Sequence, residues 1–259
     1  MAIHRREMLT GLAASAIAAG QGGSMTKHNS YLQLQVWRLH NSAENQTGRV
    51  SEFLSHGLGA ALERAGSHLI GVFANVIGND GPFYVSMVHH ESLRAMQNVL
   101  ETLASDSSYQ AALEQMSKGN GLPFVRVDGS LLRAFDGMPE PAVEKLQPPR
   151  VFELRTYESQ SFAGLHRKVT MFNESEAGIF KRLGFRPVFF GETIAGPSQP
   201  NLKYMLSYKN LAERDRLWGE FGADPQWQKL RGRPGLSDNE IVANISNVIL
   251  RPLPFSAIS

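Results

Sequence analysis

The stretch from residue 151 to residue 157 alternates side chains in a way that could form a ligand site. One set is Glu153, Arg155 and Tyr157, and the other is Phe152, Leu154 and Thr156. Successive residues of a β-strand face opposite sides and every second residue faces the same side. The carboxylate, the guanidinium and the phenol would therefore share one face. If the apolar set faces the helices, the polar set faces the inside of a barrel and could bind a polar or acidic ligand. The alternative is an internal Glu153–Arg155 ion pair that sets the packing of the two sheets.

Glu176 and Tyr204 complete the set of candidate ligand-binding residues. Glu176 lies on the apolar stripe of a predicted helix, where burying a carboxylate costs several kcal/mol unless it is paired or protonated. It could therefore act as an acid or base, or form a structural ion pair with a strand arginine such as Arg155, which is the interpretation we favour. Tyr204 could line an apolar pocket or belong to the core.

Other kinds of chemistry find little support in the sequence. The chain has no cysteine, which excludes thiolate catalysis and Cys-ligated metals. Its histidines form no HExxH motif, and its glycines form no phosphate-binding loop. We predict no metal site and no cofactor. Haem stays open, because a single axial histidine requires no motif.

Composition indicates a folded protein without a dominant charged partner. Of the 259 residues, 42% are hydrophobic and 19% are charged, with a formal net charge of +2. A chain of this size and composition forms a substantial core in one large domain or two smaller ones. The charge balance argues against nucleic acid as a partner.

The first 24 residues differ in kind from the rest and are predicted to be a signal peptide. Arg5 and Arg6 precede a short Ala/Gly-rich apolar run, and small residues suitable for cleavage follow. The paired arginines resemble the twin-arginine type, which predicts export to the bacterial periplasm with no transmembrane segment in the mature chain. The alternative is an N-terminal helix, or a start at Met25.

The sequence repeats itself at an offset of 118 residues. Gly66 and Gly78 recur as Gly184 and Gly196, each at the end of the same helix and strand pattern. Without gaps, the 118-residue offset also places residues 151–157 over residues 33–39. An internal repeat is therefore predicted, with a first unit at residues 31–136, a linker rich in proline at 137–150 and a second unit at 151–258.

Each unit reads as strand, helix, strand, strand, helix, strand. The order βαββαβ is that of the ferredoxin-like unit, whose sheet carries helices on one face only. The other face needs a cover as well. The predicted fold is therefore α+β, with two ferredoxin-like repeats packed sheet to sheet as a dimeric α+β barrel within one chain.

The second half resembles the NIPSNAP family. The resemblance rests on ELRTY (153–157), MFNESE (171–176), GFRPVFFGETIAGP (184–197) and DPQWQKLRG (224–232), and it extends over residues 150–258, with a more divergent copy in the first half. It implies the dimeric α+β barrel fold, in a superfamily that includes monooxygenases, haem peroxidases and binding proteins. It implies no particular reaction, so catalysis is undecided and a non-catalytic role is favoured.

We therefore expect an exported protein whose barrel binds a small molecule or another protein, with a homo-oligomer as a further possibility. The alternative is an oxygenase or a haem-dependent, peroxidase-like enzyme that works in the barrel lumen.

Overall fold

A computed structural model describes residues 29–40 and 42–259. The predicted signal peptide, residues 1–24, lies outside these residues. In the part that is described, no helix is long and apolar enough to cross a membrane.

The strands and helices alternate in the predicted order. The strands are β1 (Tyr31–Arg38), β2 (His68–Ile77), β3 (Phe83–His90), β4 (Arg126–Ala134), β5 (Val151–Glu158), β6 (Arg186–Ala195), β7 (Asn201–Tyr208) and β8 (Asn244–Pro252). The helices of the first half are α1 (Gln46–Glu52), a π-helical segment π1 (Phe53–Gly59), α2 (Ala60–Arg64), α3 (Leu93–Ser105) and α4 (Ser107–Ser117). Those of the second half are α5 (Phe162–Met171), a second π-helical segment π2 (Phe172–Glu176), α6 (Ala177–Leu183), α7 (Leu211–Ala223), α8 (Pro225–Arg231) and α9 (Asp238–Ile241).

The strands close into an antiparallel barrel of eight, in the order β1-β3-β2-β8-β5-β7-β6-β4. Each half contributes four adjacent strands, ordered β4-β1-β3-β2 and β8-β5-β7-β6, and the halves join where β2 pairs with β8 and β4 with β6. The prediction of an α+β barrel is confirmed.

Three layers of apolar side chains form the core. The barrel interior is filled by residues from both halves, among them Leu32, Phe73, Met87, Phe152, Phe189 and Leu250. A second layer packs the helices of the first half against the outer face of the barrel, around Trp37, Leu54 and Leu58. A third layer does the same in the second half, around Phe172, Phe180 and Tyr204. Most strands of the barrel are therefore buried on both faces along part of their length.

The 118-residue offset holds for most elements but fails for the first strand of each half. β2 and β6 begin at His68 and Arg186, which are 186 − 68 = 118 residues apart. β1 and β5 begin at Tyr31 and Val151, which are 151 − 31 = 120 residues apart. The ungapped alignment of residues 151–157 with 33–39 is therefore wrong by two residues, because the loop before the first helix is shorter in the second half. The counterpart of Glu153 is Gln33.

Local capping explains where several helices begin and end. Gly66, with φ of 74°, and Gly184, with φ of 91°, end the first helical stretch of each half, as predicted for Gly66. The helical spacing of apolar residues predicts one continuous helix over residues 92–115, but the helical stretch divides at Asp106, whose extended backbone and carboxylate cap α4. Asp224 caps α8 in the same way.

Candidate functional site

The candidate residues lie on the outer face of the barrel, under the helices of the second half. Glu153, Arg155 and Tyr157 point away from the interior, while Phe152 and Leu154 belong to the apolar core inside the barrel. The expectation that the polar set of β5 faces the barrel interior is therefore wrong.

Glu153 is the centre of a buried hydrogen-bond network. It is 0% exposed, and its Oε1 accepts hydrogen bonds from Arg155 Nη1 at 2.8 Å, Arg214 Nη2 at 2.7 Å and Asn247 Nδ2 at 2.7 Å. Its Oε2 accepts from Tyr208 OH and Trp218 Nε1, each at 2.9 Å. Burial alone would raise the pKa of Glu153, but the hydrogen bond from Arg214 and the charge of Arg155 outweigh it and lower the pKa to about 2.

The Glu153–Arg155 ion pair that the sequence offered as an alternative is present. With five donors on one carboxylate, Glu153 ties β5 to α7 and β8, because Arg214 and Trp218 lie on α7 and Asn247 lies on β8.

Arg155 connects this network to two buried phenols. Its Nη2 donates to Tyr157 OH at 3.3 Å, and its guanidinium carbon lies 4.4 Å from the centre of the Trp218 ring. The hydroxyl groups of Tyr204 and Tyr157 are 2.8 Å apart. Burial, followed by the neighbouring Tyr157, raises the pKa of Tyr204 well above its usual value. Tyr204 therefore stays protonated and acts as a hydrogen-bonding group.

Glu176 pairs with a lysine, and Arg155 is not its direct partner. Lys168 Nζ lies 2.9 Å from Glu176 Oε2, and the two side chains are 1% and 2% exposed. The ammonium also lies over the rings of Phe172 and Trp227, at 5.2 and 5.3 Å from their centres. Burial raises the pKa of Glu176, and the charge of Lys168 opposes that rise. The prediction of an ion pair is met with a different partner from the one expected.

The first half has the same fold but lacks these charges. At the offset of 118, Lys168 corresponds to Val50 and Glu176 to Leu58, and both are buried in the apolar layer of the first half. The π-helical segments overlap at this offset as well. The polar cluster is therefore a property of the second half and is not required by the fold.

A separate cavity of about 500 Å³ lies at one end of the barrel. The turns that follow β2 and β6 border it through Asp80 and Ser198. Its wall combines apolar side chains of both halves with a larger number of polar residues, and the apolar members include Leu34, Val36, Phe83, Val85, Leu154 and Val248. The polar members include Arg38, Asp128, Thr156 and Lys203. We call this space the barrel-end cavity. None of the five predicted site residues lines it.

Comparison with known proteins relates the second half of the chain to a protein family. Residues 152–257 match the model of the NIPSNAP family. The second half of the chain is therefore similar to the NIPSNAP family. A search of curated proteins found no match.

The whole barrel is similar to solved structures whose sequences are only 8–13% identical to this chain. A proposed monooxygenase from Lactobacillus acidophilus NCFM matches with a TM-score of 0.57 and 13% identity, over 86% of this chain and 94% of that chain. A proposed monooxygenase from Fusobacterium nucleatum subsp. nucleatum ATCC 25586 matches with a TM-score of 0.55 and 8% identity, over 87% and 93%. An anthrone oxidase-like protein matches with a TM-score of 0.51 and 10% identity, over 87% and 92%. At these identities the similarity shows the fold alone.

Sequence reasoning missed several residues that matter to the second half of the chain. Lys168 carried a signal, because it lies two helical turns before Glu176 on the same stripe. Lys203 carried one too, as a single charge inside the apolar strand β7. Arg214 carried none, since it reaches Glu153 from 61 positions away in the sequence.

Proposed function

We propose that the protein is a small-molecule-binding barrel and that its ligand occupies the barrel-end cavity. The observation that carries this proposal is the cavity itself. About 500 Å³ lies within the range of small-molecule sites, and the cavity combines apolar surface with polar groups that can orient a ligand. Both carboxylate oxygens of Glu153 accept hydrogen bonds from the protein itself, which favours a supporting role for the polar cluster around it. Ligand contact by the five residues named from the sequence, Glu153, Arg155, Tyr157, Glu176 and Tyr204, stays a prediction.

Fluorescence titration with N-phenyl-1-naphthylamine, an uncharged apolar probe, tests the proposal. We expect saturable binding to the purified protein. Val36 lines the cavity and is partly buried, so Val36→Phe should narrow it and weaken binding at least about tenfold, the loss of roughly 1.4 kcal/mol. Val76 is 50% exposed on β2, and Val76→Phe is the matched control that should leave binding unchanged. Absence of binding, or equal binding by the two variants, would contradict the proposal.

An oxygenase or haem-dependent peroxidase remains the alternative, supported by the names of the two monooxygenase-like structures at the level of fold. No histidine is among the described residues that line the barrel-end cavity, so this cavity offers no imidazole to a haem iron. An absorption spectrum of the protein as purified separates the two functions. A Soret band would overturn the binding proposal in favour of the enzyme.

We further propose that the two halves arose by duplication and that the protein is exported. Equivalent ion pairs support the duplication, since Arg64–Asp106 and Arg182–Asp224 recur at the offset of 118. Export rests on the arginines and small residues of positions 1–24. Fractionation of cells that produce the full-length chain tests it, and an uncleaved chain in the cytoplasm would overturn it.

A further inference from the structure

A row of polar side chains lies at the mouth of the barrel-end cavity on three adjacent strands. In the sheet register, Thr156 on β5 lies between Lys203 on β7 and Ser246 on β8. Two residues further along β5, Leu154 lies between Met205 and Val248. Side chains two apart on a strand share a face. An ammonium and two hydroxyl groups therefore lie in front of an apolar row.

The positive charge of Lys203 is not balanced within the cavity. Among the described residues, its Nζ makes one hydrogen bond, donated to Thr156 Oγ1 at 3.0 Å, and no carboxylate oxygen lies within 4.0 Å of it. Arg38 is the other cation of the cavity, and it is already paired with Asp128 at 3.2 Å and Asp80 at 3.9 Å. Lys203 is thus the group that a negative charge on a ligand would satisfy.

Burial has a measurable consequence for this lysine. It lowers the pKa of Lys203 to about 8, against a smaller opposing effect of Glu158 on β5. The charged form is therefore costly while the cavity is empty of an anion, and an anion that displaced water beside Nζ would recover part of that cost.

We propose that the barrel-end cavity binds an apolar monocarboxylate, with its carboxylate on Lys203, Thr156 and Ser246 and its apolar body against Leu154 and Val248. This inference rests on the proposed function and specifies the ligand of the same cavity. A single negative charge fits better than a phosphate ester with two, because Asp80 and Asp128 also border the cavity and would repel the second charge. Binding of this carboxylate involves no covalent bond to the protein.

Competition against N-phenyl-1-naphthylamine, with decanoate and decanol as ligands of equal chain length, tests the head group. At neutral pH we expect decanoate to displace the probe from the wild-type protein about tenfold to a hundredfold more tightly than decanol, the range of a charged hydrogen bond. Lys203→Met should remove this preference while probe and decanol still bind. Lys209→Met is the matched control, because Lys209 is 75% exposed and follows the same strand, and it should keep the preference.

The pH dependence supplies a second readout. Besides Glu158, the charged groups of the cavity are Arg38, Asp80 and Asp128, and burial lowers the pKa of Lys203 itself to about 8. The preference for decanoate should therefore weaken as the pH rises above about 8 in the wild-type protein and stay absent at every pH in Lys203→Met. Circular dichroism confirms the folding of each variant, and Lys203→Gln replaces Lys203→Met if the latter does not fold.

Each outcome decides between the two levels of the proposal. If the probe and decanol bind but decanoate binds no more tightly than decanol, the carboxylate inference is overturned and the binding function stands. If neither the probe nor any alkyl ligand binds, the proposed function itself fails.

Discussion

Replacing Glu176 with leucine tests whether the buried Lys168–Glu176 pair is structural, and the first half of the chain provides the reference. There the equivalent positions hold Val50 and Leu58, both buried and apolar. The informative set is therefore Glu176→Leu, Lys168→Val and the double variant, which recreates the apolar pair of the first half inside the second. Each of these changes removes a charge without adding a new polar group.

The single variants should be strongly destabilised, because each leaves one charge buried without its partner. Such a loss costs about 3–5 kcal/mol. The double variant should lie between neutral and about 4 kcal/mol more stable than wild type, because it avoids the desolvation of both ions.

Thermal and urea unfolding of the four proteins at pH 7 measure these differences. For a chain of this size, 1 kcal/mol shifts Tm by roughly 2–4 °C, so Glu176→Leu should melt roughly 6–20 °C below wild type at pH 7. If Glu176→Leu melts at or above wild type, the structural ion pair is refuted. Should that variant also lose the decanoate or probe binding that wild type shows, the carboxylate belongs to a ligand site.

Three further predictions concern other charges of the chain. Lys203→Met should be more stable than wild type by about 2–3 kcal/mol below pH 8, because burial lowers the pKa of Lys203 from 10.5 to about 8. Between pH 8 and pH 10.5 the stability of wild type rises, so the difference measured by urea unfolding should vanish near pH 10.5. A difference that stays constant with pH would contradict the lowered pKa. Glu153→Gln should lower the free energy of unfolding by about 3 kcal/mol at neutral pH, because the pKa of Glu153 is lowered from 4.5 to about 2. The greater stability of wild type should persist above pH 4.5 and be lost as the pH falls through 2. Acid titration of both proteins by circular dichroism measures this difference. Changing Arg5 and Arg6 to lysine should leave the precursor in the cytoplasm, and normal export on fractionation would remove the twin-arginine interpretation.

The sequence predicted the order of elements well because each one carries a local signal. Glycines at positions 66 and 184 end helices, and alternating runs such as residues 201–208 form strands. The break at Asp106 was missed because the apolar spacing continues across it, and an N-cap is visible only when the preceding backbone is known to be extended. The ungapped offset placed β5 two residues out of register, since identities near Gly184 say nothing about the length of an earlier loop.

The two-residue error did not exchange the faces of β5. Because the side-chain period of a strand is two, an even shift keeps each residue on its side of the sheet and moves it along the strand, whereas a shift of one would have turned every side chain over. In the first half, Gln33 and His90 occupy the positions of Glu153 and Tyr208, and their side chains are 3.4 Å apart. The contact is therefore present in both halves, whereas the charge is present only in the second.

The face itself could not be read from the alternation of β5, because a closed barrel covered by helices buries both sides of this strand. Phe152 and Glu153 are 1% and 0% exposed, so polarity does not separate an inside from an outside. What decides the orientation is the supply of partners. At the level of Phe152 the barrel interior is filled by apolar side chains, so that level has no set of donors for a buried carboxylate. The inward-facing donors Lys203, Thr156 and Ser246 lie at the barrel end instead. The helix α7 brings Arg214 and Trp218 to the outer face, and burying Glu153 is tolerable only against them. Because Glu153 must face α7, its neighbours Leu154 and Thr156 face inward. The orientation of β5 that buries Glu153 outside the barrel therefore also places Leu154 and Thr156 in the wall of the cavity within it.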